Sequence, residues 1–82
     1  MTDARTDLIE ALAGDLGTAP LSQTEIDAVL SLAAVAAHGT GDRTTAPLVS
    51  FLAGCAAAGA GNRVDTIDRA RKRTGELSAP GS

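Results

Sequence analysis

Aromatic side chains are nearly missing from this chain. Among 82 residues there is no Trp, no Tyr and a single Phe, Phe51. That removes the stacking platforms on which single-stranded nucleic acids are held. Basic residues are also too few for a general nucleic-acid binder, since the formal net charge is −3 and phosphate recognition calls for the opposite balance. Cys55 is the only cysteine, so no intrachain disulfide can form. The longest apolar stretch, Ala46 to Ala60, is interrupted by Ser50 and glycines and is too short for the roughly 20 residues that span a bilayer. The start, MTDARTDLIE, is polar and acidic, unlike the basic and then apolar opening of a signal peptide. These absences together lead us to expect a cytoplasmic protein with no membrane and no nucleic acid among its partners.

What is present is mostly alanine and leucine in helical spacing. Hydrophobic residues make up 44% of the chain, but alanine buries little area, so the core must be thin and the helices close together. A domain of this length is marginal in stability and packs efficiently or leans on a partner. The spacing predicts four helices and no strand. The first runs from about Asp3 to Leu16, with Leu8, Ile9, Leu12 and Leu16 on one stripe and Gly17 as its stop. In the second, Ser22-Gln23-Thr24-Glu25 reads as a capping box, Leu21 and Ile26 stand at the spacing of a hydrophobic staple, and the helix closes near His38-Gly39. The third opens at Thr45-Ala46-Pro47, where proline suits a first turn. The fourth starts after Asn62 and stops at Gly75. The chain thus reads as one domain over 1–77 with a short tail over 78–82.

The expected architecture is an all-α, compact bundle of four short helices. No charged residue lies between Thr44 and Gly61, and a helix apolar nearly all round is usually central. The third helix is therefore expected at the centre, with Phe51 as its largest anchor. The expected core anchors are Leu12, Ile26, Leu30, Phe51, Leu52, Cys55 and Ile67. Gly54, Gly59 and Gly61 are expected to permit close helix approach and then termination.

Candidates for chemistry are few. One His and one Cys, seventeen positions apart, fall short of the three or four ligands of a usual metal site, and a thiol in an apolar helix is expected to be buried and inert. Gly39-Thr40-Gly41 follows no strand and lacks the lysine of a phosphate-cradling loop. The segment from His38 to Arg43 remains: an imidazole and a guanidinium beside the start of the third helix, whose free backbone N–H groups favour anions. Against that stands a plain structural role, with His38 capping the second helix and Arg43 solvated or paired with Asp42. Charge is also unevenly spread. Arg63, Arg69, Arg71, Lys72 and Arg73 are five of the seven basic residues, and Asp3, Asp7, Glu10 and Asp15 are four of the ten acidic ones. Either the fourth helix faces the first within the fold, or Arg69, Arg71, Lys72 and Arg73 face an acidic partner.

One resemblance adds to this reading. Ile26-Asp27-Ala28-Val29-Leu30, Leu32-Ala33, Val35-Ala36-Ala37-His38-Gly39, Arg43, Ala46-Pro47-Leu48 and Phe51-Leu52-Ala53-Gly54 resemble an uncharacterised bacterial family of small helical domains. Its members are met alone, or fused to or encoded beside the enzyme that attaches a guanine nucleotide to molybdopterin. The likeness covers positions 8 to 60, about two thirds of the chain, and matches His38 and Arg43. The chain departs from the family at a tryptophan early in the first helix, near Leu8 or Ile9, and at a proline near Thr44-Thr45.

Three functional readings follow. The first is a non-catalytic accessory subunit of a molybdenum-dependent oxidoreductase such as a formate dehydrogenase, binding the larger subunit and supporting its assembly or stability. The second is a cofactor-maturation module that holds a phosphate or nucleotide group at His38 and Arg43. The third is a free-standing homodimer that buries leftover apolar helix surface. In none of them is the chain itself an enzyme. No metal or cofactor is expected to bind it directly, and any molybdenum cofactor would belong to the partner.

Overall fold

The computed structural model describes residues 4–78, and all of its regular structure is helical. α1 spans Ala4–Leu16, α2 Gln23–Thr40, α3 Thr45–Ala58 and α4 Arg63–Ser78. The all-α reading with four helices holds. The tail expected over 78–82 lies outside the described residues except for Ser78, which closes α4.

Helix starts follow the local chemistry that the sequence displays. At α2 the Ser22 hydroxyl accepts from Glu25 N–H at 3.1 Å, and the Glu25 carboxylate accepts from Ser22 N–H at 2.7 Å. Two backbone donors that a helix start leaves without partners are thereby satisfied. At α4 the Asn62 side chain accepts from Asp65 N–H at 3.2 Å. α1 ends in a Schellman motif, with Thr18 N–H donating to Ala13 C=O at 3.0 Å and Gly17 N–H donating to Gly14 C=O at 3.3 Å.

Two helices run past their expected stops. α2 continues through Gly39 and ends at Gly41, which takes φ 72° and donates its N–H to Ala37 C=O. Gly39 is instead a close-packing position, since a Cβ there would run into the Ser78 side chain. α4 continues through Gly75, which has ordinary helical geometry and faces Val35. Gly54, Gly59 and Gly61, expected to allow close approach, have nothing near them for a Cβ to meet. Gly41→Ala is expected to cost about 1–2 kcal/mol, because an L-residue in the left-handed region crowds its own carbonyl. Gly41→Asn should cost less. Urea midpoints of the two variants test this order.

The packing centre is α2, not α3. α2 packs against both α3 and α4, and α3 also meets α4. The central cluster is Ala28, Leu32, Ala53 and Ile67, with Val29, Val49 and Ala70 against it. Leu32 is 0% exposed and is the only large side chain fully buried among the described residues. Ile26 and Ile67 are buried as expected. The other expected anchors are not in the core: Leu12, Leu30, Phe51, Leu52 and Cys55 are all exposed. The reason lies in α3, which is apolar on every side. It turns its small face inward, with Val49, Ala53 and Ala57 at successive turns, because small residues let its backbone approach α2 and α4. Its large residues are left outside.

α1 packs against none of the other three helices. Ala13 is its one buried residue, held where the chain folds back after the Schellman motif. Of the two readings left open for the basic α4, the one that packs it against α1 is therefore not realised. Among the described residues no ion pair joins the two.

Candidate docking surface

The outer face of α3 carries Leu48, Phe51, Leu52 and Cys55 at positions i, i+3, i+4 and i+7, which is one continuous helical stripe. Leu48 is 66% exposed, Phe51 72% and Leu52 68%, and the Cys55 thiol is exposed beside them. Single exposed leucines are ordinary, but a contiguous apolar stripe is not, and such patches mark interaction sites. α3 has no charged residue, so no charge breaks the stripe.

On the inner side of α3 lies a two-pronged ion pair between α2 and α4. The Arg63 guanidinium, on the first residue of α4, grips the Glu25 carboxylate with two hydrogen bonds, Nε to Oε2 and Nη2 to Oε1, the latter at 2.9 Å. Glu25 is buried, while the Arg63 side chain is one-third exposed. One carboxylate therefore both caps α2 and ties α4 to it. The backbone hydrogen bond from Ser22 holds the Glu25 carboxyl below its usual range. Burial opposes this, and Arg63 adds to it by hydrogen bonding and charge. Both residues line a cleft of about 320 Å³ whose apolar walls include Val29, Leu32, Ala53 and Ile67. A second groove, of about 220 Å³, lies along α1 between Ile9, Leu12, Leu16, Leu21 and Arg63. No local pattern in the sequence points to the Glu25–Arg63 pair, since its members stand 38 residues apart. Glu25 itself is legible only as the N3 residue of a capping box.

His38 stands exposed in the last turn of α2, where a cation complements the helix dipole. Arg43 is exposed in the α2–α3 connection. Neither makes a hydrogen bond or ion pair among the described residues. The head of α3 offers an anion little. Asp42 Oδ1 accepts from Thr44 N–H at 2.9 Å and from the Thr44 hydroxyl at 2.7 Å, and Asp42 C=O accepts from Thr45 N–H at 3.1 Å. Ala46 N–H donates to Arg43 C=O at 3.3 Å. The N–H groups expected to be free are thus in use. Asp42, its carboxyl held below the usual range by hydrogen bonds from Thr44, puts a negative charge where the anion was expected. It bonds Thr44 and does not pair with Arg43.

On α4, Arg69, Lys72 and Arg73 are exposed and Arg71 is half-buried. Among the described residues only Arg73 of these four is paired, at 3.4 Å to Glu76, and that contact is itself exposed. Arg69 and Lys72 border a wide open depression of about 550 Å³ together with Asp65 and Asp68. Among the described residues no group of three or more His, Cys, Asp or Glu comes together, and no helix is long and apolar enough to cross a membrane. Among the described residues no hydrogen bond reaches the Cys55 thiol.

The family pattern for a domain of unknown function, DUF6457, matches residues 2–80. The chain belongs to the DUF6457 family. That membership agrees with the expectation of a small uncharacterised domain and spans the described helices from α1 to α4. No curated protein matches the chain, and no solved structure does.

Proposed function

We propose that this DUF6457 chain is a non-catalytic interaction module that docks on a larger protein subunit through the outer face of α3. The observation that carries the reading is the exposed stripe Leu48, Phe51, Leu52 and Cys55 on a helix without charge. Fully burying each large apolar side chain is worth about 1.5–3 kcal/mol. A chain whose core is mostly alanine nevertheless leaves its largest residues in water, and covering them on a partner recovers that stabilisation. For the identity of the partner, the molybdopterin-linked resemblance supplies the candidate: a molybdenum-dependent oxidoreductase such as a formate dehydrogenase, or an enzyme of cofactor biosynthesis. In this reading the cofactor is held by the partner and the module supports assembly or stability.

Affinity capture of the tagged chain from its native cell, read by mass spectrometry, tests both parts. Wild type is expected to retain a molybdoenzyme or cofactor-biosynthesis subunit. Leu52→Lys, which keeps its helical circular dichroism because Leu52 is exposed, is expected to retain at least tenfold less, as for a residue at the centre of an interface. Equal retention by both chains would sink the α3 face as the docking site. Stoichiometric capture of a subunit unconnected with molybdenum would sink the partner.

A further inference from the structure

The same chain carries a second unpartnered apolar helix. Leu8, Leu12 and Leu16 of α1 recur at intervals of four, and each is at least half exposed. α1 packs on no other helix, although a lone helix of 13 residues is marginal in water and keeps its form by burying an amphipathic face. We infer that when the larger partner is absent, the α3 face is covered by α1 of a second copy, in a reciprocal homodimer; this rests on the reading of α3 as a docking face.

Three observations favour α1 over other occupants. The stripes match in length, since Leu8 to Leu16 and Leu48 to Cys55 span roughly 12 Å and 10 Å at the rise of an α-helix. The leucine row of α1 is an i, i+4 ridge of the kind that seats in a groove between facing side chains. Charge is complementary as well. Asp7, Glu10 and Asp15 are exposed on α1, and α4, which packs on α3, exposes Arg69 and Lys72, neither of them in an ion pair among the described residues. An α3–α3 pair would have no charged residue on either helix to fix its orientation.

Placing each α1 on the other copy's α3 gives a closed two-fold arrangement, with the same patch used twice. Six large apolar side chains per copy leave water: Leu8, Leu12, Leu16, Leu48, Phe51 and Leu52. That is on the order of 1,000 Å² over the pair, the scale of a specific interface. The larger partner and the second copy then compete for one face, so the dimer is the waiting form of the module.

Sedimentation equilibrium of the full chain from low micromolar to submillimolar concentration tests the dimer. Wild type is expected to rise from one-chain to two-chain mass. Leu12→Asp and Leu52→Lys are each expected to associate at least tenfold more weakly. Their equimolar mixture should recover two-chain mass at least tenfold more readily than either alone. The mixture restores one intact α1–α3 contact and sets Asp against Lys in the other. Leu8→Asp replaces Leu12→Asp if the latter loses helical circular dichroism. A wild-type chain that stays monomeric overturns the homodimer but leaves capture of a larger partner untouched. Undiminished association of Leu12→Asp, or a mixture no better than its components, overturns α1 as the occupant.

Discussion

Leu32→Ala is expected to destabilise the protein by about 3–4 kcal/mol and to lower its urea midpoint in proportion. Buried Leu→Ala replacements cost about 2–5 kcal/mol, the spread reflecting how well the site collapses. Here collapse is hard. Leu32 is fully buried, and its neighbours Ala28, Ala36 and Ala53 are already too small to move into the space. Among the described residues five of the eight buried hydrophobic ones are alanines, so little else compensates. A domain of this size has total stability of roughly 4–12 kcal/mol, of which this one side chain accounts for a large share. Phe51→Ala is the matching control. Were Phe51 a core anchor, its loss would cost about 3–5 kcal/mol. At 72% exposure it should change the free protein by no more than about 0.5 kcal/mol. Urea unfolding at low micromolar concentration, followed by circular dichroism, separates the two. Similar losses for both variants would mean that α3 turns its large face inward.

That contrast marks where the sequence is legible and where it is not. Helix starts are written locally. Ser22 and Glu25 stand within one turn, and so do Asn62 and Asp65, and each pair forms the contact its spacing suggests. The inward face of a helix is legible only when polar residues mark the outside. α2 is oriented by Gln23, Asp27 and Ser31, whereas α3 has no charge to orient it. Size then misleads, because Phe51 and Leu52 look like anchors although close helix approach selects Val49, Ala53 and Ala57. Glycine stops are legible in kind but not in place. Gly41 closes α2 in a left-handed turn two residues past the expected stop at Gly39, and Gly75 never needs one. At the candidate site, the exposed positions of His38 and Arg43 follow from a polar, glycine-rich connection. The Asp42–Thr44 contact that fills the head of α3 had a readable signal, since an Asp two residues before a backbone N–H commonly bonds it. The Glu25–Arg63 clamp had none, because nothing local links residues on different helices.

Glu25→Ala is the second large effect, expected at about 2–3 kcal/mol. It removes the reciprocal half of the α2 capping box, typically worth about 1 kcal/mol, and leaves the Arg63 guanidinium without its carboxylate. An unpaired buried charge costs about 3–5 kcal/mol, but Arg63 is one-third exposed and turns to water, so only a fraction of that penalty applies. Glu25→Gln divides the effect. Glutamine serves the capping box and loses only the charge, so it should cost about half as much. A cycle with Arg63→Met should return a coupling of about 1–2 kcal/mol between the pair and none between Arg63 and Asp42. The same carboxylate sets the acid limit. Its folded pKa is below the 4.5 of an ordinary glutamate, so the unfolded chain takes up the proton first as pH falls. The stabilisation from Glu25 is therefore complete above about pH 4.5 and drains away as pH drops through the lower folded value. Between neutral pH and pH 3 the urea midpoint of wild type should fall more steeply than that of Glu25→Gln, and the two curves should converge at the acid end. Parallel curves over that range would mean that the clamp does not hold Glu25 ionised.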